Sequence, residues 1–321
     1  FLSADGVEKA NSGHPGMPMG MAELASVLWL KHLKFNPEDP KWIARDRFVL
    51  SNGHGSMLIY SMLHLSGYNL SLDDLKDFRQ WESKTPGHPE SFITEGVECT
   101  TGPLGQGVAN AIGMALGQKI LASRYDEKTL DHKIYCFTGD GCLMEGISAE
   151  ATSMAGHLGL GNLIVIYDDN QISIAGKTDL AFSEDVAKRF EALDWHVQSV
   201  DGHNFSEIDS AIENAKAETG KPSLICARTI IGKGSPNKAD TSGVHGAPLG
   251  ADELDETRKN LGWDHEAFHV PEEVREVYAK RLEDLKAEHA SWSEAHNSWK
   301  DANKEQAKNL EKQISLSVPV D

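Results

Sequence analysis

The sequence predicts an α/β fold, a doubly wound parallel sheet with helices on both faces, followed by a helical tail. Three observations support this prediction. Apolar, strand-like runs alternate with helical segments between residues 45 and 229. The two central runs, 134–138 and 163–167, are apolar almost throughout, as parallel strands covered on both faces should be. A helical segment at 145–158 joins these runs, which predicts a right-handed βαβ unit.

The other elements follow in chain order from local signals. Amphipathic or apolar segments that open at glycine- or proline-containing turns are predicted to be helices, because such residues start and end helices. Before the central unit we expect helices at 1–11, 18–33, 56–65, 73–78 and 107–124, and a strand at 45–51. After the central unit we expect a helix at 184–193, a strand at 196–200, a helix at 206–217 and a strand at 223–229.

Two further segments depart from this alternation. Residues 231–248 form a glycine- and proline-rich loop, and loops of this length in compact domains are usually functional or disordered. From Val270 onward the chain contains no glycine, and its apolar residues keep helical spacing. We therefore expect an α/β domain at 1–265 and a helical linker at 266–321 that packs on a neighbouring surface.

The composition limits the function. The chain has 49 acidic and 31 basic residues, a formal net charge of −18, which disfavours nucleic acid and anionic membranes as partners. Anionic sugar phosphates are still allowed, because local basic groups can override the overall field. The four cysteines form no Cys-x-x-Cys pair, which indicates free thiols in a reducing compartment. With no membrane-length apolar run and no signal-peptide pattern, we expect a cytoplasmic location.

A candidate binding site follows from the two central strands. Asp140 comes directly after the first and Asn170 after the second, 30 positions later. Because parallel neighbours end at the same edge of a sheet, these side chains should meet where open α/β sheets bind ligands. Together with the backbone carbonyl of Ile172 they can supply about three of the six oxygens that Mg²⁺ prefers. Gly139 and Gly141 let backbone N–H groups approach an anion closely, which favours a diphosphate carried by a divalent cation.

Four histidines occupy corners that contain glycine or proline: His14, His54, His88 and His245. Any one of them alone is more often an ordinary loop residue. Four such corners at the ends of strands or helices indicate a site, because an imidazole can donate to hydroxyl or phosphate oxygens and exchange protons near neutral pH. A hydroxyl-rich sugar is a ligand that needs such groups.

These corners together resemble the amino-terminal, diphosphate-binding domain of transketolase. The segments that carry the resemblance are 12–16, 52–56, 86–90, 102–107 and the Gly139–Asn170 motif. The resemblance is strong over about residues 1–263 and looser in the tail. Deoxyxylulose-phosphate synthase shares the metal motif but is not expected to show both the 12–16 and the 52–56 corners. Dihydroxyacetone synthase is a closer relative and stays open.

The resemblance implies a thiamine diphosphate cofactor held through Mg²⁺, with Ca²⁺ or Mn²⁺ as alternatives. The implied metal ligands are Asp140, Asn170 and the Ile172 carbonyl. The implied cofactor-binding residues are His54, Gly102, Pro103, Leu104, Gly141, Asn170 and His245. The implied substrate-binding and catalytic residues are His14, His88 and His245. Glu145 and Glu150 match an acidic network across a dimer interface, although acidic residues near a helix start also fit a plain stabilising role.

The implied activity is a transferase reaction of the pentose phosphate pathway, in which a two-carbon glycolaldehyde unit passes from a ketose phosphate to an aldose phosphate. The loop at 233–239 resembles a segment that closes over the cofactor. The family also uses a pyrimidine-binding domain that we do not find in this sequence, so we expect no turnover by this chain alone. Its expected partner is a second copy in a homodimer, or a complementary pyrimidine-binding domain or subunit.

Several alternatives stay open at this point. The first residues read as the middle of a helix, which favours a fragment of a longer chain over one subunit of a split enzyme. A non-catalytic regulatory module that binds the cofactor is a second function compatible with the same motifs. A structural α/β scaffold, in which the glycines serve only as turns, is a third.

Overall fold

The computed structural model describes residues 1–315 and contains one large sheet and one small hairpin. In chain order the strands are β1 (Arg47–Leu50), β2 (Ile134–Gly139), β3 (Leu163–Asp169), β4 (Ile172–Ser173), β5 (Gly176–Lys177), β6 (His196–Asp201) and β7 (Ser223–Arg228). The large sheet has the order β1-β2-β3-β7-β6, and all its neighbouring strands are parallel. Strands β4 and β5 form an antiparallel hairpin.

Helices cover both faces of the sheet. In chain order they are α1 (Leu2–Ala10), α2 (Gly16–Gly20), α3 (Ala22–Val27), α4 (Ser56–Leu65), α5 (Leu72–Lys76), α6 (Gln106–Arg124), α7 (Asp140–Met144), α8 (Gly146–His157), α9 (Val186–Ala192), α10 (Phe205–Ala217), α11 (Ala251–Asn260), α12 (Glu272–Ala302) and α13 (Lys304–Ile314). A π-helical turn, Leu28–His32, extends α3. Within residues 1–315, no helix combines the length and the apolar character that crossing a bilayer requires.

Each face of the sheet has its own apolar core, because alternate residues of a strand point to opposite faces. On β2, Tyr135 and Phe137 pack into the first core, whereas Ile134 and Cys136 pack into the second. Helices α1, α3, α4, α10 and α12 close the first core, and α6, α8 and α9 close the second. This two-sided packing explains the almost wholly apolar strands, and it confirms the predicted doubly wound α/β class.

The expected helical tail is present as α12 and α13. Tyr278 and Leu285 of α12 are buried in the first core, and the indole Nε1 of Trp292 donates to the carbonyl of Thr129 at 2.7 Å. The tail therefore packs on the α/β unit over much of its length. Residues 316–321 of the predicted linker lie outside the described part of the chain, and a domain boundary near residue 265 stays a prediction.

Four local features differ from the predicted elements. The helix expected at 18–33 begins at Gly16, is interrupted at Met21 and finishes as a π-helical turn. Helix α7 precedes the helix expected at 145–158. Helix α11 carried no visible signal, because it buries only Leu254 and Thr257 and so lacks an apolar stripe. The hairpin β4–β5 has two residues in each strand, too few to leave an alternating pattern.

Candidate functional site

A cavity of about 380 Å³ lies at the carboxyl ends of β1, β2 and β3, and we call it the rim cavity. Residues from both the predicted cation corner and the predicted histidine corners line it: His14, His54, Gly102, Leu104, Asp140, Gly141, Asn170, Ile172 and His245. Asp140 follows β2 and Asn170 follows β3, and these strands are hydrogen-bonded neighbours. The two side chains thus meet at one edge of the sheet, as expected from the sequence.

The acidic side of the rim cavity begins with Asp140. This residue starts α7 directly after β2, and its side chain is buried. Its Oδ1 atom accepts a hydrogen bond from the hydroxyl of Tyr167. Burial raises the pKa of Asp140 to about 6, even though that hydrogen bond lowers it. A carboxyl group removed from water in this way gains from a cation placed beside it.

Asn170 is held at both ends of its amide. Its Nδ2 donates to Asp168 Oδ2 at 2.8 Å, and its Oδ1 accepts from the backbone N–H of Ile172 at 2.9 Å. Asp168 is also buried, and its Oδ1 accepts from the hydroxyl of Thr229. Burial, together with the nearby negative charge of Asp140, raises the pKa of Asp168 to about 7. A second buried acidic group therefore contacts the predicted cation ligand Asn170, at the nitrogen end of its amide.

The backbone carbonyl of Ile172 is directed away from its hairpin partner. The backbone N–H of Thr178 donates to the carbonyl of Gln171 at 3.0 Å, which makes these two residues a hydrogen-bonded pair. Because such pairs alternate along an antiparallel ladder, the next pair, Ile172 and Lys177, is a non-hydrogen-bonded one. The carbonyl oxygen expected as a cation ligand is therefore free of ladder hydrogen bonds, although the residue lies in a strand that the sequence did not predict.

The donor set at this corner is mixed. Among residues 1–315, no three side chains of His, Cys, Asp or Glu are grouped so that they could hold a metal ion by themselves. A cation here would rely on the Asp140 carboxylate, the Asn170 amide oxygen, the Ile172 carbonyl and oxygens brought by a ligand. Hard oxygen donors of this kind suit Mg²⁺, Ca²⁺ or Mn²⁺.

Three imidazoles form one wall of the rim cavity. The ring centroid of His14 lies 5.0 Å from that of His54 and 5.9 Å from that of His245, and the last two are stacked at 5.1 Å. The Nδ1 atoms of His14 and His245 are buried without a hydrogen-bond partner among the described residues. Since buried polar atoms are normally satisfied, both nitrogens fit a bound ligand with donor or acceptor groups.

All four predicted histidines are uncharged at neutral pH. Burial, together with the neighbouring histidines, lowers the pKa of His14 to about 4 and that of His54 to about 3. Burial also lowers the pKa of His88 and of His245. A neutral imidazole offers one donor and one acceptor, which suits sugar hydroxyl groups.

His88 and Pro103 lie beside the rim cavity and are not among its lining residues. A Cβ atom added to Gly102 would lie 3.1 Å from the ring of His88, so the two residues are in close contact. Gly102 has a positive φ of 148°, a conformation that other residues rarely adopt. Because Gly102 has no side chain, the turn that contains it fits between the ring of His88 and the rim cavity.

Glu145 and Glu150 are exposed and lie outside the rim cavity. Glu145 is the residue before α8, and Glu150 lies within that helix. A Cβ atom added to Gly105 would lie 2.8 Å from the Cβ of Glu145, which places this glutamate against the turn before α6. Two predictions for these glutamates therefore stay predictions: an acidic network across a dimer interface, and stabilisation of the helix start.

Two charged residues near the site carried no functional interpretation from the sequence. Asp168 belongs to the Asp-Asp-Asn run at the end of β3, but the sequence gives no sign of its hydrogen bond with Thr229, the residue that follows β7. Arg79 follows a short polar helix, and its guanidinium donates to the Ser12 hydroxyl at 2.6 Å. Its positive charge contributes to the lowered pKa of both His14 and His88. No local pattern marks Arg79, because the contacts that bring it here are made by distant parts of the chain.

Comparison with known proteins gives one consistent family. The family model for "Transketolase, thiamine diphosphate binding domain" matches residues 1–319. Transketolase 2 of Vibrio vulnificus is 56% identical over 322 residues, which cover 99% of this chain and 48% of the relative. A transketolase of Nostoc is 55% identical over 321 residues, covering 98% of this chain and 48% of the relative. The chain thus spans about half the length of the curated relatives that it matches.

Solved structures agree with this result. A Pichia stipitis transketolase in complex with sedoheptulose-7-phosphate matches with a TM-score of 0.96 and 47% identity, covering 100% of this chain and 48% of that chain. The transketolase of Leishmania mexicana matches with a TM-score of 0.96 and 44% identity, covering 100% of this chain and 50% of that chain. The fold and the sequence therefore lead to the same family.

Proposed function

The chain belongs to the transketolase family, and we propose that it supplies the half of a transketolase active site that binds the diphosphate, the cation and part of the sugar. The observation that carries this proposal is the rim cavity, which joins an oxygen-rich corner at Asp140 and Asn170 to a wall of neutral imidazoles. The reaction is the transfer of a glycolaldehyde unit from a ketose phosphate to an aldose phosphate.

The residues present fit thiamine diphosphate with a divalent cation. The Asp140 carboxylate, the Asn170 amide oxygen and the Ile172 carbonyl hold the cation, which is Mg²⁺, with Ca²⁺ or Mn²⁺ as substitutes. His54 and His245, with the backbone at Gly102, Leu104 and Gly141, bind the cofactor, and Pro103 fixes the turn between two of them. When bound, the cofactor stabilises the negative charge that develops when the carbon–carbon bond breaks.

The histidines act on the sugar. His14 and His88 hydrogen-bond the hydroxyl groups of the donor, and His245 moves a proton at the hydroxyl next to the bond that breaks. Two of these residues, His14 and His245, present buried Nδ1 atoms without a partner among the described residues, which supports their use by a ligand. The guanidinium of Arg79 adds positive charge on the side of His14 and His88, which suits an anionic sugar phosphate.

The remaining half of the site comes from elsewhere. The curated relatives are about twice as long as this chain, which supports a pyrimidine-binding domain as the missing partner, within a homodimer or as a complementary polypeptide. Glu145 and Glu150 are exposed and free to join an acidic network across that interface. The enzyme acts in the cytoplasm in the pentose phosphate pathway, and this chain alone has no turnover.

Calorimetric titration of thiamine diphosphate into the chain tests the proposal. With Mg²⁺ we expect saturable binding, and with a chelator in its place we expect affinity to fall at least about a hundredfold. The reason is that a cation between a diphosphate and a buried carboxylate contributes a few kcal/mol at the dielectric of a protein surface. Asp140→Ala should lose binding in the same way. Cofactor binding that does not depend on a divalent cation would refute the assignment.

Two histidine variants separate the cofactor role from the sugar role. His54→Ala should weaken cofactor binding, because His54 lines the rim cavity. His88→Ala should leave cofactor binding nearly unchanged, because His88 lies outside the cavity lining. With the pyrimidine-binding domain supplied, His88→Ala should instead impair use of the ketose donor. If the unmodified chain binds the cofactor but shows no turnover with the pyrimidine-binding domain supplied, a regulatory module would be favoured.

A further inference from the structure

We propose that Asp168 is a positioning residue for the cation site: it fixes the Asn170 side chain so that the amide oxygen faces the cation. This inference rests on the proposed function, since it assumes a cation at the Asp140–Asn170 corner. It goes beyond that function because Asp168 itself is not a ligand. The residue lines the rim cavity and is 1% exposed.

The contacts of Asp168 determine which end of the amide faces it. Its Oδ2 accepts from Asn170 Nδ2 at 2.8 Å, and its Oδ1 accepts from the hydroxyl of Thr229. Both partners donate, so each oxygen of Asp168 acts as an acceptor; the nitrogen of the amide therefore points toward Asp168 and its oxygen points away. The rotated amide would place its oxygen against the carboxylate, which repels it.

The other end of the amide gives the same orientation. Asn170 Oδ1 accepts from the Ile172 N–H at 2.9 Å, which uses one of the two lone-pair positions of that oxygen. The second position is left for a cation. Rotation of the amide would set its NH₂ group against the Ile172 N–H and would present a donor, not an oxygen, to the cation. Asp168 and the Ile172 N–H therefore act together on one side chain.

Asp168 is itself held from a neighbouring strand. Thr229 directly follows β7, is 1% exposed, and reaches Asp168 at the end of β3. Strand β7 pairs with β3 in register up to Arg228 opposite Asp169, so the position of Thr229 is set by the sheet. The orientation of the amide thus depends on rigid elements and not on a loop. Outer partners of metal ligands that act in this way typically contribute about 10- to 100-fold to metal affinity.

The experiment compares two neighbouring carboxylates. Asp168→Asn removes the obligate acceptor, because an amide at position 168 can turn either end toward Asn170. Asp169→Asn is the matched control: it removes the same charge one residue later, where the side chain lies 3.7 Å from Arg228 and outside the rim cavity. The apparent dissociation constant for Mg²⁺ is measured by calorimetry with thiamine diphosphate present in excess, together with the thermal unfolding midpoint without cation.

We expect Asp168→Asn to raise the apparent dissociation constant for Mg²⁺ by about 10- to 100-fold, and Asp169→Asn to raise it less than about threefold. The double variant Asp168→Asn with Asn170→Asp keeps the net charge and exchanges the two groups. A carboxylate at position 170 presents oxygen in either orientation, so this variant should recover most of the lost Mg²⁺ affinity. A merely structural role for Asp168 would instead appear as a lowered thermal unfolding midpoint without cation.

Each outcome decides a separate question. If the unmodified chain shows no Mg²⁺-dependent binding of thiamine diphosphate, the proposed function fails and this inference fails with it. If the unmodified chain binds normally but both single variants titrate alike, or the folded double variant stays as weak as Asp168→Asn, the inference alone is overturned. If Asp168→Asn does not fold, Thr229→Val replaces it, because it loosens Asp168 without touching Asn170 and should still weaken Mg²⁺ binding several-fold.

Discussion

Glu23 fixes the start of the loop that carries His245, and replacing it should release that loop. Its two carboxylate oxygens accept hydrogen bonds from His203 Nδ1 at 3.3 Å and from the ammonium group of Lys233. The backbone N–H of Ile230 donates to the other ring nitrogen of His203 at 3.0 Å. His203 therefore carries its proton on Nδ1 and donates it to Glu23. Glu23→Gln removes the charge from this network while keeping the shape of the side chain.

The size of the effect follows from burial. The side chains of Glu23 and His203 are 16% and 14% exposed, and that of Lys233 is 33% exposed. A hydrogen bond to a charged group contributes about 1.5–3 kcal/mol when it is buried. Solvent reduces the free energy that the more exposed Lys233 contact contributes. We therefore expect Glu23→Gln to favour local opening of the loop by about 2 kcal/mol, which corresponds to a roughly 30-fold larger open population.

Limited trypsin digestion measures this opening directly. The loop contains Lys233 and Lys238, and under native conditions the cleavage rate follows the population of the open form. Glu38→Gln is the matched control, because Glu38 pairs with Lys286 at 2.8 Å but is 69% exposed. The control should change loop cleavage less than about twofold, since exposed ion pairs contribute little. Equal cleavage of the loop in both variants, or an unchanged rate in Glu23→Gln, would refute the reasoning.

Three further predictions test the histidine wall, the turn beside it and the tail. Burial lowers the pKa of His14 to about 4, so the folded chain binds fewer protons than the unfolded chain below pH 6.5 and loses stability as the pH falls toward 4. His14→Gln should reduce that loss by about 1 kcal/mol at pH 5, because solvent screens part of the effect on a partly exposed ring; urea unfolding at several pH values measures it, and an unchanged slope would contradict it. Gly102→Ala should destabilise the fold by about 1–3 kcal/mol because of its positive φ, whereas Gly113→Ala, in open space on α6, should be neutral or stabilising. Leu285→Ala should destabilise the chain by about 2–5 kcal/mol, against little change for the exposed Val277→Ala on the same helix; similar values for the pair would argue against tail packing.

The parts of the site that were predictable from the sequence are those set by neighbouring strands of one βαβ unit. Asp140 and Asn170 could be placed together because β2 and β3 are consecutive, parallel and joined by a short crossover. The contact between Asp168 and Thr229 could not be predicted, because it requires β7 to lie beside β3 while β6 takes the edge. Strand order of this kind is a tertiary property that hydrophobic periodicity does not encode.

The histidine corners were recognisable individually, but their grouping was not derivable from spacing. His14, His54 and His245 come from three separate turns, and their ring centroids lie within 5.9 Å of one another only in the folded chain. The resemblance to a family suggested the grouping before the geometry did. Arg79 had neither a motif nor a periodic position, so nothing in the sequence indicated that its charge acts on His14 and His88.

Under the proposed function, the charges of the rim cavity imply that the cation, and not the protein, would attract the diphosphate. The chain has a formal net charge of −18, and the acidic corner adds the buried Asp140 and Asp168 where phosphate oxygens would lie. Without a cation, each phosphate charge meets carboxyl groups in a poorly hydrated site, where repulsion is stronger than in water. Thiamine without its diphosphate carries no such charge, so its weak binding should not depend on Mg²⁺.

Paired titrations of the two ligands, with and without Mg²⁺, isolate this effect. Mg²⁺ should strengthen thiamine diphosphate binding by at least about a hundredfold and change thiamine binding by less than about twofold. An equal gain for both ligands would mean that the cation acts by ordering the chain, for example the segment at Asn170 and Ile172, and not by bridging to phosphate. Three hydrogen bonds already order this part of the chain: Tyr167 with Asp140, Asn170 with Asp168, and Thr229 with Asp168. Because these residues are held by the paired strands β2, β3 and β7, we expect the bridging effect to dominate.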